Sequence, residues 1–100
     1  MLKISILDTA SYRRLVIEGK LIAPWASEVT VVWRQAKADL NGRELVVDVK
    51  GLTVITEDGE NVLLDLMKEG AKFRSSGVFT KQVLKRLACK IRRNVQEEKT

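Results

Sequence analysis

Apolar and polar positions along the chain change period several times, and each change marks an element. Ile4 and Ile6 alternate with Lys3 and Ser5 ahead of Leu7; after a polar break at residues 8–11, an apolar run resumes at Leu15, Val16 and Ile17 before Glu18 and Gly19. Two such short runs predict an antiparallel pair of strands. Pro24 then ends extended structure, because its ring fixes φ and removes a donor yet suits the first turn of a helix. Trp25, Val29, Val32, Trp33, Ala36 and Leu40 recur at spacings of three and four, which predicts one apolar helical face. Asn41 and Gly42, residues that accept a left-handed backbone, stop that helix.

The segment from Glu44 to Val49 is nearly all apolar, which predicts a strand covered on both faces in a parallel arrangement. Gly51 reads as a turn, followed by a second short apolar run. From Glu57 the helical period returns, with Val62, Leu63, Leu66 and Met67 on one face and Gly70 at its end. Ala71 to Arg74 predict a short strand, Ser75, Ser76 and Gly77 a loop, and Val83, Leu84, Leu87, Ala88 and Ile91 the core face of a third helix. The order is β-β-α-β-α-β-α. It predicts an α/β fold: a mixed, mostly parallel four-stranded sheet with an N-terminal antiparallel hairpin, packed by three helices.

At 100 residues and 45% hydrophobic content, the chain fits one domain with one core. That domain is expected over residues 1–93, with 94–100 (NVQEEKT) as a frayed tail. No apolar stretch approaches the ~18–20 residues of a membrane helix, and the start MLKISILD lacks the basic region and long apolar core of a signal peptide. A cytoplasmic protein with no membrane partner is expected. One cysteine rules out an internal disulfide, and the lack of histidine removes the commonest metal ligand and proton shuttle. No metal or cofactor is expected. Carboxylates are numerous (Asp48, Glu57, Asp58, Glu60, Asp65), but no motif sets an acid, a base and a substrate-holding group together, and no GxxxxGK loop is present. The chain therefore reads as a non-enzyme.

Four segments carry a resemblance. EGKLIAPWASEV brings a glycine–x–leucine step into the first helix, LVVDVKGLTVI runs from a strand to a loop, TEDGENVLLDLMKEGAKF covers the second helix and the next strand, and SSGVFTKQVLKRLA opens the last helix. In order and spacing, over residues 1–91, they resemble the STAS domain family, named for sulfate transporters and anti-sigma factor antagonists. The resemblance implies a stand-alone signalling module of bacterial transcription regulation that works by protein–protein interaction. Its partner would be an anti-sigma factor, a kinase-like regulator or a larger signalling assembly. Family members that act as antagonists commonly carry aspartate–serine–serine–glycine at the loop before the second helix, and the serine nearest the glycine is phosphorylated by a partner kinase. The matching residues here are Thr56, Glu57, Asp58 and Gly59. The implied partner-binding surface is Thr53, Thr56, Glu57, Asp58, Gly59, Glu60 and Asn61, with Asp58 at the phosphosite.

Asp58 has no hydroxyl. A phosphoserine would bring about −1.5 to −2 charge to a helix N-terminus that favours anions; Asp58 brings a permanent, smaller charge. One reading is a module held in a state like the phosphorylated one; the other is that Glu57, Asp58 and Glu60 simply stabilise a helix start, each by ~0.3–1 kcal/mol. Thr53 and Thr56 flank the loop as hydroxyl acceptors, although a threonine just before a helix more often serves as its N-cap. An alternative to the interaction module is a small-ligand or nucleotide sensor on the same fold.

The net charge is +5, and Lys81, Lys85, Arg86, Lys90, Arg92 and Arg93 crowd into one segment of thirteen residues. Opposite an apolar stripe, such residues form a solvated face, and cations also suit a helix C-terminus. Nucleic-acid binding needs stacking groups beside the charge, and this half of the chain has only Phe73 and Phe79, so no nucleic-acid partner is expected. Trp25 and Trp33 are expected on one buried helical face; a tryptophan exposed beside the loop would instead be an interface anchor. Cys89 is expected as a small buried residue.

Overall fold

The opening alternation closes into a hairpin of β1 (Leu2–Asp8) and β2 (Tyr12–Leu21), paired antiparallel from Leu2↔Gly19 to Asp8↔Arg13. Thr9 holds the turn: its N–H donates to the Tyr12 carbonyl at 2.9 Å, and its hydroxyl accepts the Tyr12 N–H at 3.1 Å. The computed structural model describes residues 2–75 and 77–98, with 92–98 by backbone alone. The remaining elements are α1 (Ala26–Lys37), β3 (Glu44–Ile55), α2 (Glu57–Lys68), β4 (Lys72–Arg74) and α3 (Val78–Glu98). β2, β3 and β4 run parallel and the sheet order is β1-β2-β3-β4, which is the α/β architecture predicted above.

Each strand contributes alternate residues to one core. Leu15 and Ile17 of β2 and Leu45, Val47 and Val49 of β3 meet Ala26, Val29, Trp33 and Ala36 of α1, Leu63 and Leu66 of α2, and Val83 and Leu87 of α3. The three helices thus share one face of the sheet. At ~1.5–3 kcal/mol for each large apolar side chain removed from water, this single layer is the main source of stability.

Several expectations need correction. β3 is covered by helices on one face only; Val46 and Asp48, on the other, are still buried, because their register neighbours include the long side chains of Arg14, Lys72 and Arg74. Gly51 is not a turn. β3 runs through it and takes an extra residue at two register shifts against β2, between Val16 and Glu18 and between Gly19 and Lys20. A Cβ on Gly51 would lie 2.8 Å from Cγ of Glu18, so glycine suits the crowding there. Trp25 precedes α1 and is exposed, since the helix starts at Ala26 and turns Val29, Trp33 and Ala36 inward instead. On α3 the buried stripe is narrow, Val83 and Leu87 with Leu84 packed against it, and this leaves Ala88 and Cys89 exposed. The α3 backbone continues through 94–98 of the expected tail; Ser76, Lys99, Thr100 and the side chains of Arg92 and Arg93 lie outside the described residues. Among the described residues, no helix is long and apolar enough to cross a membrane.

The end of the sheet opposite the C-terminal strand ends is tied by Arg13, an arginine on the core-facing side of β2. Its Nε donates to Asp8 at 2.7 Å, and its Nη1 donates to Asp39 at 2.5 Å and to the Ala36 carbonyl at 3.0 Å, closing the end of α1. Arg43 adds a second ion pair to Asp8 at 3.0 Å. The hydrogen bond from Arg13 is the chief reason that both the Asp8 and Asp39 carboxyls lie below the usual carboxylate range. A carboxyl lowered on folding gives stability that is complete above its unfolded value, near pH ~4, and is lost as pH falls through the lower folded value. Acidification from pH 7 to pH 3 is therefore expected to reduce stability less in Arg13→Met than in the parent, although the variant starts less stable. Both carboxylates are partly exposed, so the difference is modest. Urea unfolding at the two pH values measures it; equal losses would remove the network from the acid response.

Candidate functional site

Because β2 and β3 are parallel and paired to their ends, Leu21 and Ile55 lie level at one edge of the sheet, whereas the shorter β4 ends at Arg74, level with Asp48 and seven residues back along β3. The chain leaves the C-terminal ends of the parallel strands three times, each time into a helix N-terminus. In open α/β sheets this is where ligands and partners gather.

The middle crossing carries the residues singled out from the sequence. Thr56, Glu57, Asp58 and Asn61 are exposed, Glu60 is half-buried and Gly59 is buried. Thr56 occupies the N-cap position of α2 with extended backbone, but its hydroxyl does not cap the helix. It donates instead to the Leu21 carbonyl at 3.4 Å, beside its own N–H at 3.2 Å. The Thr53 hydroxyl donates to the Gly19 carbonyl at 3.1 Å. Both threonines thus stitch the end of β3 and the start of α2 to β2. Gly59 permits the close approach: a Cβ there would sit 2.3 Å from the Leu21 carbonyl oxygen and 2.9 Å from Leu21 Cγ.

The carboxylates divide. Glu60 pairs with Arg86 and so joins α2 to α3. Glu57 and Asp58, with Glu28 in the first turn of α1, sit where the helix dipoles favour negative charge and form no ion pair among the described residues. An acidic edge therefore stands on a chain whose net charge is +5.

Asp58 also borders a depression of about 380 Å³ between the first turns of α1 and α2, lined by Ala23, Pro24, Ala26, Ser27 and Val62. Its walls are apolar except for Ser27 and Asp58. Trp25, 44% exposed, lies in the same β2–α1 connection. Val54 near the end of β3 is exposed at this edge as well, and Val78 and Phe79 are exposed at the start of α3. The arrangement suits an incoming side chain with an apolar body and a cationic or hydrogen-bonding tip. No group of three or more Cys, Asp or Glu side chains that could hold a metal ion occurs among the described residues.

Sequence reasoning centred on the α2 loop missed the β2–α1 connection as half of this site. The available signal was topological: β2 and β3 are neighbours, so the chain segments leaving them are neighbours too. No protein-family model matches the chain, and no curated protein matches it in sequence.

Proposed function

We propose that the chain is a non-catalytic, cytoplasmic interaction module of the STAS type, related in its working to anti-sigma factor antagonists. It docks a protein partner, an anti-sigma factor, a kinase-like regulator or a larger signalling assembly, at the C-terminal edge of its parallel strands. The observation that supports this reading best is the junction of Asp58 with exposed apolar surface: a carboxylate at a helix N-terminus, without an ion pair among the described residues, at the rim of an apolar depression and near an exposed tryptophan. Charge without apolar surface would be an ordinary helix start; apolar surface of this kind marks interaction sites.

In this reading Asp58 holds the carboxylate where a phosphorylatable serine would stand, so binding is constitutive. Asp58→Ser is expected to fold as the parent does and to weaken the partner complex by about 1–2 kcal/mol, roughly 5- to 30-fold. Titration calorimetry on an identified partner measures this; affinity unchanged by loss of the carboxylate would sink the role given to Asp58.

The depression favours one second reading, a small-ligand or nucleotide sensor, since its volume falls within the ~300–1,000 Å³ typical of small-molecule sites. A thermal shift with nucleotides, in the absence of any protein partner, would turn the assignment that way.

A further inference from the structure

The sheet face turned away from the helices carries a second constellation, at the end of β2 far from Asp58. Tyr12, Arg14 and Val16 of β2, Val46, Asp48 and Lys50 of β3, and Lys72 and Arg74 of β4 share this face by their alternation with the core residues. The guanidinium carbons of Arg14 and Arg74 each lie 5.5 Å from the centroid of the Tyr12 ring. Arg14 Nη2 donates to the Tyr12 hydroxyl at 3.2 Å, while its Nε is buried without an acceptor among the described residues.

Acceptors on this face are too few for its cations: besides Glu44 and Asp48 there is Glu18, which lies beside Gly51 toward the other end of β2 and is in register with Lys3. Glu44 is taken by Lys72 at 2.6 Å. Asp48 accepts the backbone N–H of Lys50 at 3.0 Å through Oδ1. Its Oδ2 stands 3.9 Å from both Arg14 Nη1 and Lys50 Nζ, too far for a hydrogen bond to either. Arg74 forms no ion pair among the described residues. Arg14 and Arg74 thus flank the Tyr12 ring, and Lys50 lies farther along the same face, beyond Asp48.

We propose that this open face binds single-stranded nucleic acid. Phosphates would engage Arg14, Lys50 and Arg74, and a base would stack on the Tyr12 ring or on a guanidinium plane beside it. The α3 basic segment has one exposed ring, Phe79, and among the described residues no cation lies over it; on the open face two guanidinium groups lie over the Tyr12 ring. An acidic protein segment would satisfy the cations equally but would leave the planar guanidinium faces held beside the ring unstacked, which is why the nucleic acid is favoured. The surface is distinct from the Asp58 edge and does not depend on the function proposed for it.

The test is fluorescence anisotropy with a labelled mixed-sequence 12-nucleotide strand. Saturable binding is expected at 50 mM salt, weakening about 20-fold by 200 mM, as three phosphate contacts on a single strand imply. Tyr12→Ala is expected to weaken binding at least about fivefold. If circular dichroism shows that this variant does not fold, Arg74→Gln carries the test, because Arg74 is exposed. Arg74→Gln should lower the slope of log K against log salt by about 0.7. The double variant Lys81→Gln/Lys85→Gln on α3 should bind like the parent. The proposal fails if no binding occurs at 50 mM salt, if folded Tyr12→Ala binds like the parent, or if the α3 double variant weakens binding as much as Arg74→Gln does. It fails equally if a poly-glutamate peptide of the same charge competes as well as unlabelled strand, which would assign the face to an acidic protein.

Discussion

Replacing Gly59 with alanine is expected to destabilise the fold by about 1–3 kcal/mol, against the usual direction for this exchange inside a helix. Alanine is the better helix former by about 1 kcal/mol. Here the added methyl would enter a space already held by the Leu21 carbonyl oxygen, 2.3 Å away, with Leu21 Cγ at 2.9 Å and Ile55 Cγ2 at 3.2 Å. Overpacking of that kind typically costs ~1–3 kcal/mol and sometimes more. The obstacle is backbone and cannot rotate away. Moving it also loosens the carbonyl that receives both the N–H and the hydroxyl of Thr56. The steric cost therefore outweighs the gain in propensity, and the melting temperature should fall by roughly 4–8 °C per kcal/mol for a chain of this size. Gly51→Ala is the control. Its new methyl would meet Cγ of Glu18 at 2.8 Å, but Glu18 is an exposed, flexible side chain free to change rotamer, so the cost should stay below about 1 kcal/mol. Thermal and urea unfolding of the two variants side by side decides the matter. A Gly59→Ala chain as stable as the parent would show that α2 does not seat this closely on β2.

The order of elements was legible because each carries its own period: alternation in β1, threes and fours in α1 and α2, and a nearly all-apolar run at the start of β3. What escaped was set by partners remote in sequence. Gly51 looks like a turn when only its neighbours are considered, and the strand continues there because β2 lies alongside and absorbs two extra residues of β3. Cys89 sits between Leu87 and Ile91 in sequence, but α3 buries a stripe too narrow to include it. Arg13 was the largest omission. It shares strand parity with Leu15 and Ile17, so an inward-facing charge was implied; its acceptors Asp8, Asp39 and the Ala36 carbonyl converge only once the sheet and α1 are assembled. The candidate sites show the same division. Residues 56–61 stand out locally, whereas the pairing of Asp58 with Pro24 and Ser27, and of Tyr12 with Arg74, requires the strand order.

The two tryptophans should respond in opposite ways, although the spacing of eight predicts one face for both. Trp33 is 3% exposed in the core of α1, with Lys37 Nζ 5.4 Å from its ring centroid. Trp33→Ala is expected to cost about 3–5 kcal/mol, a large part of the ~5–15 kcal/mol that holds a domain folded. Trp33→Phe should cost much less. The indole N–H is buried without an acceptor among the described residues, so its removal discards a desolvated donor and offsets part of the lost contact. Trp25, by contrast, is 44% exposed just before α1. Trp25→Ala should change stability by no more than about 0.5 kcal/mol while weakening the proposed partner complex by about 2 kcal/mol, roughly 30-fold, as an aromatic anchor does. Fluorescence separates the residues: Trp25→Phe leaves Trp33 alone, whose emission should be blue-shifted and poorly quenched by iodide. Equal losses of stability in the two alanine variants would place Trp25 in the core. Unaltered partner affinity in a folded Trp25→Ala chain would remove the indole from the docking surface and leave the binding at that edge to Asp58 and the apolar walls beside it.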